Sequence, residues 1–154
     1  MPTIRALSRT AAALAVAGAV LAPLSGSASA ASGGGCSQYN SYPTGGIFVK
    51  VNACISAPSR GVGRPDAYIT TNGWFNGLTN CYIRVSTLKA GNGSTIITKK
   101  DFPCPKGSVT NLHLVGVDVH ASSGQYATYV TVAANGTPPS PWPGTPRSPF
   151  LTLP

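Results

Sequence analysis

The chain has 154 residues, with eleven Lys and Arg against three Asp and no Glu, for a formal net charge of +8. Charged residues make up 9% of it, too few for a solvated helical protein of ordinary composition. The basic balance suits polyanions such as teichoic acids or nucleic acid, but the cations do not cluster beyond Lys99-Lys100, so the charge reads first as a source of solubility and no nucleic-acid partner is expected.

The first element is a leader. "MPTIRALSRT" places Arg5 and Arg9 ahead of the apolar run "AAALAVAGAVLAPL", and "SGSASA" ends in Ala28-Ser29-Ala30. A positive start, a short apolar run and an A-x-A site predict a secretory signal peptide over residues 1–30, cleaved after Ala30. The run falls short of the roughly 20 apolar residues that span a bilayer. The arginines are not adjacent, which favours the general secretory route. Cys36 follows "SGGG" rather than a lipoprotein box, and the tail "SPFLTLP" holds no second apolar span, so no membrane anchor is expected. Removal of the leader takes away two arginines and leaves nine Lys and Arg against three Asp.

"ASGGG", residues 31–35, reads as a flexible N-terminus. In "GIFVKVNACIS", Ile47, Val49, Val51, Ala53 and Ile55 share one face while Lys50 and Asn52 point away, the alternation of a half-buried antiparallel strand. "APSRGVGRPD" reads as a long connection carrying Arg60 and Arg64, and connections are where function collects. "DAYITT" is a second strand. In "TTNGWFNGLTN", Trp74 and Phe75 stand between two turn signals, Asn72-Gly73 and Asn76-Gly77. Such aromatics can stack on sugar rings, with Asn72 and Asn76 supplying hydrogen bonds, or Trp74 can fold back to close one end of the fold.

"CYIRVSTLK" is a third strand with Ile83 and Val85 inward. "AGNGS" supplies a tight turn, and "TIITKKDF" returns as a fourth. "TNLHLVGVDV" and "QYATYVTVAA" add two more, joined by Ser-Ser-Gly. On the first of these, Asp118 and His120 share a face and His113 alternates to the other, so the two histidines do not converge. Asp66 and Asp101 are read as lying beside turns, and no neighbouring strand is expected to offer an acid. Tyr126 and Tyr129 fall on opposite faces, one toward the core and one toward the surface. Asn92 and Asn135 open Asn-Gly-Ser/Thr triplets that read as turns.

The chain carries no G-x-S-x-G, no H-E-x-x-H and no phosphate loop, and three scattered aspartates do not make a facing carboxylate pair. No enzymatic activity, cofactor or metal site is therefore expected. The tail "TPPSPWPGTPRSPFLTLP", residues 137–154, holds seven of the fourteen prolines and is expected to be extended, with "FLTL" docking as an edge strand.

Four cysteines, Cys36, Cys54, Cys81 and Cys104, form an even set in an exported chain and predict two disulfides, since no C-x₂-C pair suggests zinc. Sequential pairing, Cys36–Cys54 and Cys81–Cys104, closes the shortest loops, and the two other pairings stay open. Together the elements describe an all-β protein: a single antiparallel β-sandwich of Ig-like architecture with about six to seven strands over residues 36–136. A small barrel is the second choice.

The leader, "GGIFVKVNACIS", "NCYIRVSTLK" and "QYATYVTVAANG" ahead of "SPFLTLP" resemble small secreted β-rich proteins of actinobacterial type. That resemblance implies a fold class more than an activity. Secreted amylase inhibitors of the same bacteria are also small sandwiches with two sequential disulfides, but their Trp-Arg-Tyr motif is absent here and "GWFNG" stands nearest to it. The resulting expectation is a secreted, non-enzymatic binding module for extracellular polysaccharide or cell-wall polymer, with Trp74 and Phe75 as contacts and Arg60 and Arg64 as electrostatic help. The alternative is an inhibitor that grips a secreted protein partner, a hydrolase, through the loop at 58–66.

Overall fold

The computed structural model describes residues 31–37, 40–41, 45–91, 94–121, 123–136, 140–141 and 146–154. The expected leader at 1–30, the Asn92-Gly93 turn and much of the Pro-rich segment at 137–145 lie outside the described residues. The strands are β1 Ser32–Gly33, β2 Gly35–Cys36, β3 Asn40–Ser41, β4 Val49–Ser59, β5 Val62–Asn72 and β6 Tyr82–Lys89. They continue with β7 Thr95–Pro103, β8 Ser108–Val115, β9 Val119–His120, β10 Gly124–Ala133, β11 Ser140–Pro141 and β12 Leu151–Leu153. Among the described residues there is no helix, and so none long and apolar enough to cross a membrane.

Period-two patterning sorts these strands into two antiparallel sheets packed as an Ig-like sandwich. One sheet runs β1-β12-β10-β6-β7, with β11 also on β10; the other runs β2-β4-β5-β8, with β3 on β4 and β9 on β5. Val49, Val51 and Ala53 of β4 meet Ala67 and Ile69 of β5 across the core from Ile83, Val85 and Val130, all of them buried. Ile47, expected on the same face, lies ahead of the strand and is exposed. A second cluster, Ile55, Val119, Tyr126, Leu151 and Leu153, fills the other end. Between the sheets the Thr128 hydroxyl donates to the Cys54 carbonyl, so a polar group stranded in the core has its partner. Both disulfides have the favoured pairing, Cys36–Cys54 tying β2 to β4 and Cys81–Cys104 closing the open end of the β6–β7 hairpin. Two such bonds fit an oxidising compartment.

The sandwich reaches further than residues 36–136 at both ends. The stretch at 31–35, expected to be flexible, pairs instead: Ser32 and Gly33 lie against Thr152 and Leu151, and the Gly34 amide donates to the Phe150 carbonyl. Its glycines are what permit this approach. A Cβ on Gly33, at φ +78°, would stand 2.6 Å from the Phe150 carbonyl oxygen, and one on Gly34 would stand 2.8 Å from that of Ile55. The tail docks as well, but inside the sheet rather than at its edge, because β12 lies between β10 and β1. Thr131 pairs with Pro141, Tyr129 with Arg147 and Gln125 with Thr152, so the tail follows β10 from end to end. Proline is tolerated here because the ladder asks it only for a carbonyl: Pro146 accepts from the Val130 amide, while Ser148 donates to Thr128.

Candidate functional site

The two loops singled out in the sequence are tied into the frame of the sandwich. Phe75 is 0% exposed and belongs to the core, while Trp74 is half-buried against it, edge-on to Phe75 with ring centroids 5.0 Å apart. The pair closes one end of the sandwich, the second of the two roles open to it. Neither flanking asparagine is set up for a ligand. Asn72 accepts from the Phe48 amide and donates to the Gly46 carbonyl, and Asn76 accepts from the Gly107 amide. Lys106 pins the same loop by donating to the Phe75 and Leu78 carbonyls. Phe75, wholly inside the core, has no face left for a sugar ring, while Trp74 keeps part of its surface open.

The stretch at 58–66 is not a long loop either. It is the tip of the β4–β5 hairpin, where Ser59 pairs with Val62 across Arg60-Gly61. Pro58 falls in the register shift between Ser56 and Ser59, where the ladder needs no donor, so its presence does not open a loop. Arg60 is exposed at the turn. Arg64 sits within β5 and grips Asp118 with both prongs, Nε to Oδ1 at 2.9 Å and Nη2 to Oδ2 at 2.8 Å. That bidentate bond holds the Asp118 carboxyl below the usual carboxylate range and raises the arginine in turn.

The acids and histidines are distributed otherwise than their spacing suggested. Gly116–Asp118 breaks the expected strand, with β8 ending at Val115 and β9 starting at Val119. Asp118 turns to Arg64 rather than to His120. Asp66 and Asp101, expected beside turns, lie within β5 and β7, and Asp66 is the acid that a neighbouring strand does offer. His113 Nε2 donates to Asp66 Oδ2 at 3.0 Å, and its ring stacks on Tyr68 at 4.4 Å and 3°. Arg84 binds Asp101 through Nε and Nη2 at 2.6 and 2.7 Å, which lowers the acid and raises the base. Among the described residues no group of three or more His, Cys, Asp or Glu comes together.

What the structure assembles instead lies on the outer face of the β10–β6–β7 sheet. Arg84, Ser86 and Leu88 alternate outward from β6, with Thr131, Tyr129 and Ala127 of β10 beside them in register. Leu88, Ser94, Ile96, Tyr129 and Arg147 line a depression of about 590 Å³. A second, of about 340 Å³, adjoins it through Ile96 and is lined by Arg84, Ile97, Thr98 and Lys99. Ile96 is 50% and Ile97 40% exposed, an apolar floor that water covers. Arg147 stands beside Tyr129 by cross-strand pairing, its guanidinium 5.2 Å from the Phe150 ring centroid. The sequence put Tyr126 and Tyr129 on opposite faces, and the structure turns Tyr126 inward and Tyr129 outward. Alternation also marks Arg84 and Leu88 as outward, but nothing in the spacing brings Arg147 to them.

No family model matches the chain, and no curated protein matches it. Among solved structures it is similar to the GAE domain of GGA2p from Saccharomyces cerevisiae, at 15% identity over 76% of this chain and 98% of that one, with a TM-score of 0.29. At that score the likeness carries nothing about function.

Proposed function

We propose that this protein is a secreted, non-enzymatic binding module for an anionic polymer of the cell envelope or extracellular matrix of its producer. One observation carries the reading. Every aspartate of the chain is already engaged by a basic side chain of its own: Asp66 by His113, Asp101 by Arg84 and Asp118 by Arg64. Arg60, Arg147, Lys50, Lys89, Lys100 and Lys106 form none of these salt bridges, and Lys99 adds only a charge attraction to Asp101. A surface whose three carboxylates are all bonded by its own side chains, with further cations beside them, favours anions. The disulfides and the leader agree with export. The alternative, an inhibitor of a secreted hydrolase acting through 58–66, would use the tip of the β4–β5 hairpin at Arg60-Gly61 in place of a long loop.

The test is retention of residues 31–154, disulfides intact, on isolated Gram-positive cell walls. Binding at low salt and release at high salt is expected, because the screening length falls from about 10 Å at 0.1 M to about 3 Å at 1 M. Absence of binding at both salts would defeat the reading.

A further inference from the structure

The geometry points to the double depression on the outer face of the β10–β6–β7 sheet as the seat for this polymer, and to a polysaccharide bearing carboxylates, of uronate type, as its occupant. This inference rests on the binding-module reading above and adds the place and the chemistry.

Cations stand at both ends of the depression, Arg147 at one and Lys99 at the other, where Arg84 is already paired with Asp101. Leu88, Ile96, Ile97 and Tyr129 form the stretch between them. The charged lining offers donors only, since Arg and Lys carry no acceptor, and the nearest carboxylate, Asp101, is held by both prongs of Arg84. Ser94, Thr98 and Tyr129 add hydroxyls that can donate or accept, so it is the charged groups, which only donate, that favour a ligand bringing carboxylates. Arg147 has no side-chain carboxylate bonded to it among the described residues, and its planar fork matches a carboxylate.

A second feature lies on the same sheet face, next to residues that line the two depressions. Ser86, between Arg84 and Leu88 on the same face and directly across from Tyr129, is 1% exposed, and its hydroxyl has no hydrogen-bond partner among the described residues. An orphaned buried hydroxyl costs stability unless something polar meets it. The apolar middle decides between two sources of negative charge. The CH face of a pyranose ring covers Leu88, Ile96 and Tyr129, whereas a polyol-phosphate chain offers no ring to cover them.

The experiment follows amide NMR shifts and affinity of residues 31–154 for polygalacturonate, with dextran and polyphosphate as comparisons. Expected are shifts centred on Leu88, Ile96, Tyr129 and Arg147. Arg147→Gln should weaken binding about tenfold, as loss of one charge-assisted bond does, while Arg60→Gln, with the same change of charge, costs far less. Ile96→Asp, at an exposed position, should abolish binding and leave the amide spectrum otherwise intact. Equal losses from Arg147→Gln and Arg60→Gln, or shifts scattered over the surface, would overturn the site and leave the charge-based reading standing. Polyphosphate shifting the same amides with equal affinity would overturn the uronate assignment. If walls retain the protein and polygalacturonate does not, this inference fails alone; if neither binds, both readings fail.

Discussion

Phe75 and Trp74 show how one residue type at one place can be read two ways. Aromatics between two Asn-Gly turns look presented, yet burial of Phe75 to 0% exposure makes it a packing residue. Phe75→Ala should therefore lower unfolding free energy in urea by about 3–5 kcal/mol and leave salt-dependent wall binding unchanged in the folded protein. A loss of binding with stability intact would restore the loop as a contact. The aspartates make a second prediction. Asp118 and Asp101 titrate lower in the folded chain than in the unfolded one, because Arg64 and Arg84 bond their charged forms. Their stabilisation is present above the unfolded carboxylate range, near pH 4, and disappears as pH falls through the lower folded values. Melting temperature should drop on acidification below about pH 4, and Asp118→Asn should flatten that drop. An unchanged acid profile in Asp118→Asn would show that the Arg64 pair adds nothing to stability.

At the scale of elements, the tail is a structural strand rather than an appendage. Leu151 and Leu153 are 2% and 1% exposed and fill the core end that Tyr126 and Ile55 also line. Leu153→Ala should cost about 2–5 kcal/mol in chemical denaturation, a value typical of buried leucines. A surface tail would give nearly nothing. The same strand places Arg147 beside Tyr129, so the candidate site exists only when the tail is docked. The period-two runs that became β4, β5, β6, β7 and β10 were legible because each pairs with a sequence neighbour or a strand of similar pattern. The place of the tail inside the sheet and the pairing of 31–35 were not legible, since Pro and Gly carry no such pattern and the pairing was decided by carbonyls, the Gly34 and Ser148 amides and close backbone approach.

For the whole molecule, both disulfides join strands next to each other in one sheet or close one hairpin, and neither bridges the two sheets. Reduction should thus lower stability through the unfolded chain, by on the order of 3 kcal/mol for each loop of about 20 residues, without changing the native sheet order. The composition of strands and turns, the cysteine parity and the surplus of positive charge were all determined by the sequence itself, because alternation, glycine turns and charge are local or additive properties. The positions of Arg147, Asp66 and Phe75 were decided only by the tertiary structure. Arg147 reaches Tyr129 from 18 residues away, His113 finds Asp66 47 residues away, and Phe75 goes inward because an open end of the core needed filling. Each depends on which strands lie side by side, and the order of strands in a sheet is a property of the packed chain that no short window of residues contains.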